Sequence, residues 1–134
     1  MERTPAPTRG QRGQALSAFV AVVLTALFGV AGLVIDGGAK SAARAEAESV
    51  AAHAARAAVD ASALFRATGS PIDVGEVRAA GARVLADRGV AGEVTISAGE
   101  IRVSTRITTR TVFLSLLGIT TLTSEGDATA ILER

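Results

Sequence analysis

The segment GLVIDGGAKS, residues 32–41, comes closest to a motif with known chemistry. A P-loop requires a glycine, four further residues and then Gly-Lys-Ser/Thr, so that backbone amides surround the phosphates. Here Gly37 is followed directly by Gly38 and Ala39, which places Lys40 out of register. The segment also follows an apolar run and not a soluble strand. We therefore expect no phosphate site at these residues.

The other titratable side chains lack the spacing that catalysis or metal binding requires. His53 is the sole histidine and there is no cysteine, which excludes disulfides, thiolate catalysis and thiolate zinc sites. Glu46 and Glu48 are two residues apart, and helical side chains at that spacing do not face each other. No serine lies in a Gly-x-Ser-x-Gly setting. We expect no enzyme, no metal and no cofactor.

Three arginines, Arg102, Arg106 and Arg110, recur every fourth residue in IRVSTRITTR. Two interpretations stay open: a solvated strand face that discourages edge pairing, or a surface for an acidic partner. Nucleic acid is not expected as a partner, because the net charge is only +1 and the chain has four Phe but no Trp or Tyr for base stacking. A small-molecule substrate is not expected either.

The elements that must position these groups begin with an uncharged run over residues 15–35. A helix needs about 20 apolar residues to cross a hydrocarbon core of about 30 Å. The run has that length, and no polar face interrupts it as one would in a soluble helix. The sequence therefore predicts a transmembrane helix over residues 15–36.

The flanks of this run predict its orientation. Residues 1–14 carry Arg3, Arg9 and Arg12, so the positive-inside rule places them in the cytoplasm and the rest of the chain outside, as a single-pass membrane protein. A signal peptide would have a shorter apolar region followed by a small-residue cleavage site. Cleavage near Ala39 stays open as the alternative to a retained anchor.

One face of the predicted transmembrane helix carries small residues. They recur every fourth position, at Ser17, Ala21, Thr25 and Gly29. Such faces let helices approach closely in lipid, where packing drives association. We interpret this as a helix-packing face, although an alanine-rich sequence also produces such a pattern by chance.

Helical patterns continue beyond the membrane boundary. Residues 37–68 are alanine-rich and predict an extracytoplasmic extension of the same helix, with a bend suggested at Gly37-Gly38. After the loop ATGSPID, Asp73 is expected to cap a second helix that ends at Gly89.

Residues 69–134 are predicted to form a small extracytoplasmic domain that ends in strands. Two strands form a hairpin with Ala98-Gly99 as its turn, and the second strand has alternating polarity. Its expected inward face carries Ile101, Val103, Thr105 and Ile107. The stretch FLSLLG is an apolar connector, and TTLTSEGDATAILE predicts a last strand with a bulge at Gly126. The fold class is α+β: a long N-terminal transmembrane and amphipathic helix, a second helix and a small antiparallel sheet in a pilin-like layout.

The stretch RGQALSAFVAVVLTALFGVAGLVIDGGAKSAARAEAESVAAHAARAAVDASAL resembles the N-terminal region of TadE/TadG-like proteins of the tight-adherence (Flp) type IV pilus system. Such proteins open with Arg-Gly and a small residue, have an apolar span that ends in a hydrophobic-Asp-x-Gly step, and continue into an alanine-rich charged helix. Arg12-Gly13, Ile35-Asp36-Gly37-Gly38 and Ala57–Ala61 occupy those places. The ending LLGITTLTSEGDATAILE resembles the close of TadE-like proteins more loosely.

This resemblance implies a membrane-anchored minor pilin or pseudopilin-like subunit of a pilus or related secretion assembly in the bacterial cell membrane. Its partners would be lipid and other pilin-like or pilus-assembly subunits. Asp36, Gly37 and Gly38 would form a membrane-boundary motif, and Asp36 is otherwise a polar residue at the exit of the helix into water.

Two questions stay open at this level. Prepilin-type processing would cut between Gly13 and Gln14, but such substrates carry glutamate at the fifth mature position, where this chain has Ala18. The missing glutamate argues against processing and favours an accessory subunit over a major pilin. The alternative function is a membrane-tethered extracytoplasmic binding module of unknown ligand that joins no pilus.

Overall fold

The computed structural model describes residues 9–132, with side chains from residue 13 onward. The predicted cytoplasmic segment 1–14, including the side chains of Arg3, Arg9 and Arg12, therefore lies largely outside the described residues. The first element is a single helix, α1, which spans Arg9–Ala67 and has 59 residues. At a rise of 1.5 Å per residue it is about 90 Å long. It continues through Gly37-Gly38 without a break in the helix, so the predicted extension belongs to the same helix as the apolar run.

A second helix, α2, spans Val74–Arg88 and begins and ends where the sequence predicted. Asp73 accepts hydrogen bonds through Oδ1 from the backbone amides of Gly75 at 2.8 Å and Glu76 at 3.3 Å. These amides have no partner inside the helix, so the carboxylate caps it. Gly89 ends the helix at a φ of 62°, a left-handed conformation that favours glycine.

Three antiparallel strands follow in chain order: β1 (Ala91–Ser97), β2 (Glu100–Arg110) and β3 (Thr121–Ile131). The β1–β2 turn has positive φ at both Ala98 (52°) and Gly99 (81°), as a tight hairpin with right-handed strand twist requires. A short 3₁₀ helix, η1, spans Leu114–Leu117 in the β2–β3 connection. The α+β layout predicted from the sequence is confirmed.

The hydrophobic core lies between the sheet, α2 and the second half of α1. The α1 side is made almost entirely of alanine: Ala47, Ala51, Ala54 and Ala58 are completely buried. The strand alternation is also confirmed, because Ile101 and Val103 are completely buried while their neighbours on β2 face outward. The remaining core side chains come from α1, α2 and β1, namely Val50, Ala55, Val77, Leu85 and Val94.

Gly126 lies where the backbone of α1 comes close to the sheet, and the bulge expected there is absent. β2 and β3 pair in unbroken register across this position, with Thr105 opposite Gly126. A Cβ atom on Gly126 would lie 2.3 Å from the carbonyl carbon of Ala47 and from the amide nitrogen of Glu48. The glycine is therefore required because another backbone approaches, and not because the strand is bulged.

A buried hydroxyl secures this close approach. Thr105 is 3% exposed, and its Oγ1 donates to the carbonyl of Ala47 at 2.8 Å and lies 3.1 Å from the carbonyl of Gly126. About two turns nearer the N-terminus of α1, Ser124 Oγ donates to the carbonyl of Lys40 at 3.2 Å. The helix and the sheet are thus joined by polar contacts as well as by the alanine face.

Candidate functional site

The most constrained polar group at the end of the apolar run is Asp36, which is 2% exposed. Its carboxylate accepts three backbone hydrogen bonds from the β2–β3 connection. Oδ1 lies 2.8 Å from the amide nitrogen of Val112, and Oδ2 lies 3.0 Å and 2.7 Å from those of Phe113 and Leu114. Asp36 therefore fastens a connection that is 76 to 78 residues away in the chain.

The local sequence explains why this connection needs an acceptor. The first amides of a helix have no partner within it, and η1 has no side-chain cap of its own because the residue before it is Phe113. A carboxylate suits these amides because it offers several lone pairs and complements the positive end of the helix. Asp36 supplies from α1 the cap that η1 lacks.

An apolar contact lies next to this carboxylate. The Phe113 side chain packs on Gly32. A Cβ atom added to Gly32 would lie 2.5 Å from Cγ of Phe113. Gly32 is one turn before Asp36, so both residues contact the same connection. Glycine at position 32 and aspartate at position 36 together form what we call the clasp, which holds the β2–β3 connection against α1.

Beyond the clasp, α1 and the β2–β3 connection enclose an apolar groove of about 520 Å³. Carbon-rich surface dominates its walls. Its lining includes Thr25, Phe28, Gly29 and Leu33 from α1 and Phe113, Leu114, Leu116 and Leu117 from the connection. The connection therefore turns back along the apolar part of α1 and does not point away from it.

The predicted helix-packing face is exposed along its length in the structure. The hydroxyls are satisfied within the helix: Ser17 Oγ donates to the carbonyl of Gly13 at 3.0 Å, and Thr25 Oγ1 donates to that of Ala21 at 2.8 Å. An additional Cβ on Gly29 would meet nothing within 4 Å. The face is open to a neighbour, and its distal half, Thr25 and Gly29, leads into the groove.

Gly37 and Gly38, the other members of the predicted boundary motif, make no such contacts. A Cβ on either residue would meet nothing within 4 Å. Among the three predicted boundary residues, the structure therefore singles out Asp36. Gly13 and Gln14, the residues of the processing site, are exposed positions within α1.

The predicted arginine surface is partly neutralised. Arg102 Nη2 lies 2.9 Å from Glu100 Oε1, and Arg106 Nη2 lies 2.8 Å from Glu125 Oε1. Arg110 is exposed at the end of β2. The three arginines share the outward face of the sheet, as predicted, but their neighbours give that face mixed charge.

His53, Arg44 and Glu48 lie on the surface of α1. His53 Nδ1 lies 2.7 Å from the carbonyl of Ser49, one turn earlier. Arg44 Nε donates to Glu48 Oε1 at 2.9 Å, and this hydrogen bond together with the charge of Glu48 raises the pKa of Arg44. Across the part of the chain that the structure describes, no cluster of His, Asp or Glu is arranged to hold a metal ion.

Sequence reasoning missed the partners of Asp36. The sequence predicts only an apolar connector at Phe113 and the leucines of η1, and it places Gly32 only within the apolar run. The available signal is the stretch VFLSLLG itself, which is too apolar for an ordinary surface loop and ends in a glycine.

Comparison of the chain with known protein families, with curated proteins and with solved structures gives no match.

Proposed function

We propose that this chain is a membrane-anchored, TadE/TadG-like subunit of a tight-adherence (Flp) pilus or a related secretion assembly, similar to a minor pilin or pseudopilin. It acts structurally, through contacts between helices and between subunits. The observation that carries this proposal is that one unbroken helix is both an apolar segment long enough to cross a membrane and the central support of the α+β domain. Pilin-like proteins have this layout.

The surface of the apolar segment supports an anchor that remains attached. Its large side chains point outward; Leu16, Phe19 and Leu33 are 64%, 66% and 67% exposed. Burying such surface away from water is worth about 25 cal/mol per Å². The described part of the chain leaves these side chains uncovered, so lipid and neighbouring helices are their natural surroundings.

The exposed small-residue face supports a partner within the membrane, most directly at Ser17 and Ala21, which lie outside the groove. Small residues at four-residue spacing let a second helix approach closely. The hydroxyls on this face are already bonded within α1. A neighbouring helix can therefore pack here without supplying a polar partner, as expected between helices of one assembly.

Site-specific photocrosslinking in native membranes tests the proposal. A photoreactive residue replaces Ala21 on the small-residue face, and a matched control replaces Phe19, which lies about 160° around the helix. Mass spectrometry should recover pilin-like, platform or secretin-like proteins from position 21 and far less of them from position 19. Recovery of none of these from either position would contradict the pilus assignment and favour a membrane-tethered binding module.

The first residue of the mature protein tests the anchor separately. An uncleaved anchor begins at Met1 or Glu2, whereas prepilin-type processing would expose Gln14. Cleavage that releases the domain would leave Lys40 near the new terminus. We expect an uncleaved chain, because Ala18 stands where processed pilins carry glutamate. A terminus near Lys40 would exclude the anchored subunit.

A further inference from the structure

The β2–β3 connection exposes a second apolar surface next to the apolar part of α1. Its most exposed side chains are those of Val112, Leu116, Leu117 and Ile119, at 62%, 83%, 78% and 47%. We call these four residues the loop patch. No charged residue occurs from position 111 to 124. A surface loop in water would not normally expose so much apolar area without a charged residue among it.

The position of the loop patch along α1 is fixed by the clasp and by the groove. Phe113 contacts Gly32, four residues before Asp36, which corresponds to about 6 Å along the helix axis. The groove shared with Leu116 and Leu117 extends to Thr25, about 16 Å from Asp36. The connection therefore lies alongside the predicted membrane span, on the membrane side of its boundary residue.

Six backbone amides of this connection have partners within the protein, as contact with hydrocarbon requires of them. Lipid cannot hydrogen-bond to exposed amides, so irregular backbone near it must be satisfied by protein. The amides of residues 112–114 are bound by Asp36. Those of Leu116, Gly118 and Ile119 donate to carbonyls within the connection at 3.0–3.1 Å.

Two hydroxyls of the connection are satisfied in the same way. Ser115 Oγ donates to the carbonyl of Val112, and Thr111 Oγ1 donates to that of Ile119. The large side chains that the connection exposes are therefore aliphatic. This combination of internally bonded polar groups and exposed leucines distinguishes it from an ordinary turn between strands.

We propose that the β2–β3 connection is a second membrane contact, in which the loop patch enters the acyl region of the outer leaflet and lipid chains occupy the groove beside α1. This rests on the proposed anchor. Lipid is the occupant because the groove is continuous with the outward side chains of Phe28 and Leu33, which belong to the span. Whatever surrounds the span therefore also surrounds the loop patch.

Spin-label accessibility tests the proposal on the full chain. The sequence has no cysteine, so single labels are placed by Leu117→Cys in the loop patch, Leu27→Cys in the span and Ser97→Cys at the far end of the sheet. All three positions are exposed. Each chain is reconstituted at high dilution in vesicles of phosphatidylcholine and phosphatidylglycerol. Collision rates with oxygen, which concentrates in lipid, and with a water-soluble nickel chelate are then compared.

We expect the labels at 117 and 27 to collide mainly with oxygen, and the label at 97 mainly with nickel. Nickel-dominated collisions at 117 together with lipid values at 27 would overturn the membrane contact and leave the anchor intact. Nickel-dominated collisions at 27 would overturn both. If the spectrum at 117 shows spin–spin broadening that excess unlabelled chain removes, a second copy occupies the groove and the lipid proposal fails.

Discussion

The two halves of α1 differ in which side chains they bury. Between residues 16 and 35 the large apolar side chains are exposed, as Phe28 at 66% and Leu33 at 67% show. Between residues 43 and 58 the buried side chains are mostly alanine, and Ala47 and Ala54 are completely covered. Yet both halves belong to one helix without an interruption.

The difference shows that side-chain size and burial are set by the surroundings of each half. In the second half, small side chains let the helix backbone come within van der Waals distance of the sheet and α2, which larger side chains would prevent. In the first half nothing comparable covers the helix, except where Gly32 admits Phe113. The predictions below test that difference, from the largest expected effect to the smallest.

Gly126→Val should separate the sheet from the second half of α1. Its Cβ would fall 2.3 Å from the α1 backbone, which cannot move aside as a side chain can. We expect the free energy of unfolding of the domain to fall by at least about 3 kcal/mol. Urea unfolding of the full chain in detergent micelles, followed by circular dichroism, measures it.

Gly37→Ala is the matched control for Gly126→Val. Gly37 lies within α1, is exposed and has open space where a Cβ would be, so alanine should leave stability unchanged or raise it by up to about 1 kcal/mol. Equal unfolding midpoints for Gly126→Val and the native chain would show that the helix does not approach the sheet as closely as described.

The same substitution placed in each half of α1 tests the contrast directly. Ala54→Leu adds three carbons to a completely buried site. The carbonyl oxygen of Ala54 lies only 3.1 Å from where a Cβ on Gly81 would be, so α2 is close. We therefore expect the free energy of unfolding to fall by about 1–3 kcal/mol. Ala26→Leu adds the same atoms to an exposed site and should change stability by less than about 0.5 kcal/mol. Equal losses for the two variants would contradict the contrast.

Asp36→Ala should release the β2–β3 connection while the rest of the domain stays folded. It removes the acceptors of the amides of residues 112–114. We expect those amides to exchange with deuterium on the order of tenfold faster, since opening no longer breaks hydrogen bonds to a carboxylate. Asp36→Asn keeps one oxygen acceptor and should give an intermediate rate.

Asp60→Ala is the control for the clasp, because Asp60 is an exposed carboxylate on the same helix. Its removal should not change exchange at residues 112–114. If Asp36→Ala also leaves those rates unchanged, the carboxylate does not hold the connection. If exchange rises equally across β1 and α2, the effect is global unfolding and the clasp is not a local device.

Gly32→Ala should have the smallest effect, because Phe113 is a side chain that can shift away. The added Cβ would lie 2.5 Å from the Phe113 ring, and we expect exchange at residues 112–114 to accelerate about threefold to tenfold. Gly29→Ala is the matched control on the same helix, since a Cβ there meets nothing within 4 Å. Identical exchange rates at residues 112–114 in the two variants would show that Phe113 does not pack on Gly32.

Most of the secondary structure could be predicted because its signals are local. The cap at Asp73, the left-handed Gly89 and the Ala98-Gly99 turn each depend on a few neighbouring residues, and the alternation in β2 directly predicted its buried face. The long helix followed from its alanine content and apolar length. These elements needed no knowledge of what they pack against.

The candidate site could not be predicted in the same way, because its parts are distant in the chain. Asp36 was expected only to mark the membrane boundary, and nothing near it in sequence indicates amides 76 to 78 residues away. Gly126 was interpreted as a bulge because a glycine inside a strand indicates either a bulge or a close backbone. Only the three-dimensional arrangement distinguishes these two causes.

The unbroken passage of α1 through Gly37-Gly38 has a directional consequence. Each residue of an α-helix advances about 1.5 Å and turns about 100°. The number of residues between Asp36 and Lys40 therefore sets the direction in which the sheet lies around the helix axis. Removing one of these residues would move the domain along the helix axis by only about 1.5 Å but would rotate it around that axis by about 100°. The β2–β3 connection would then face away from Asp36.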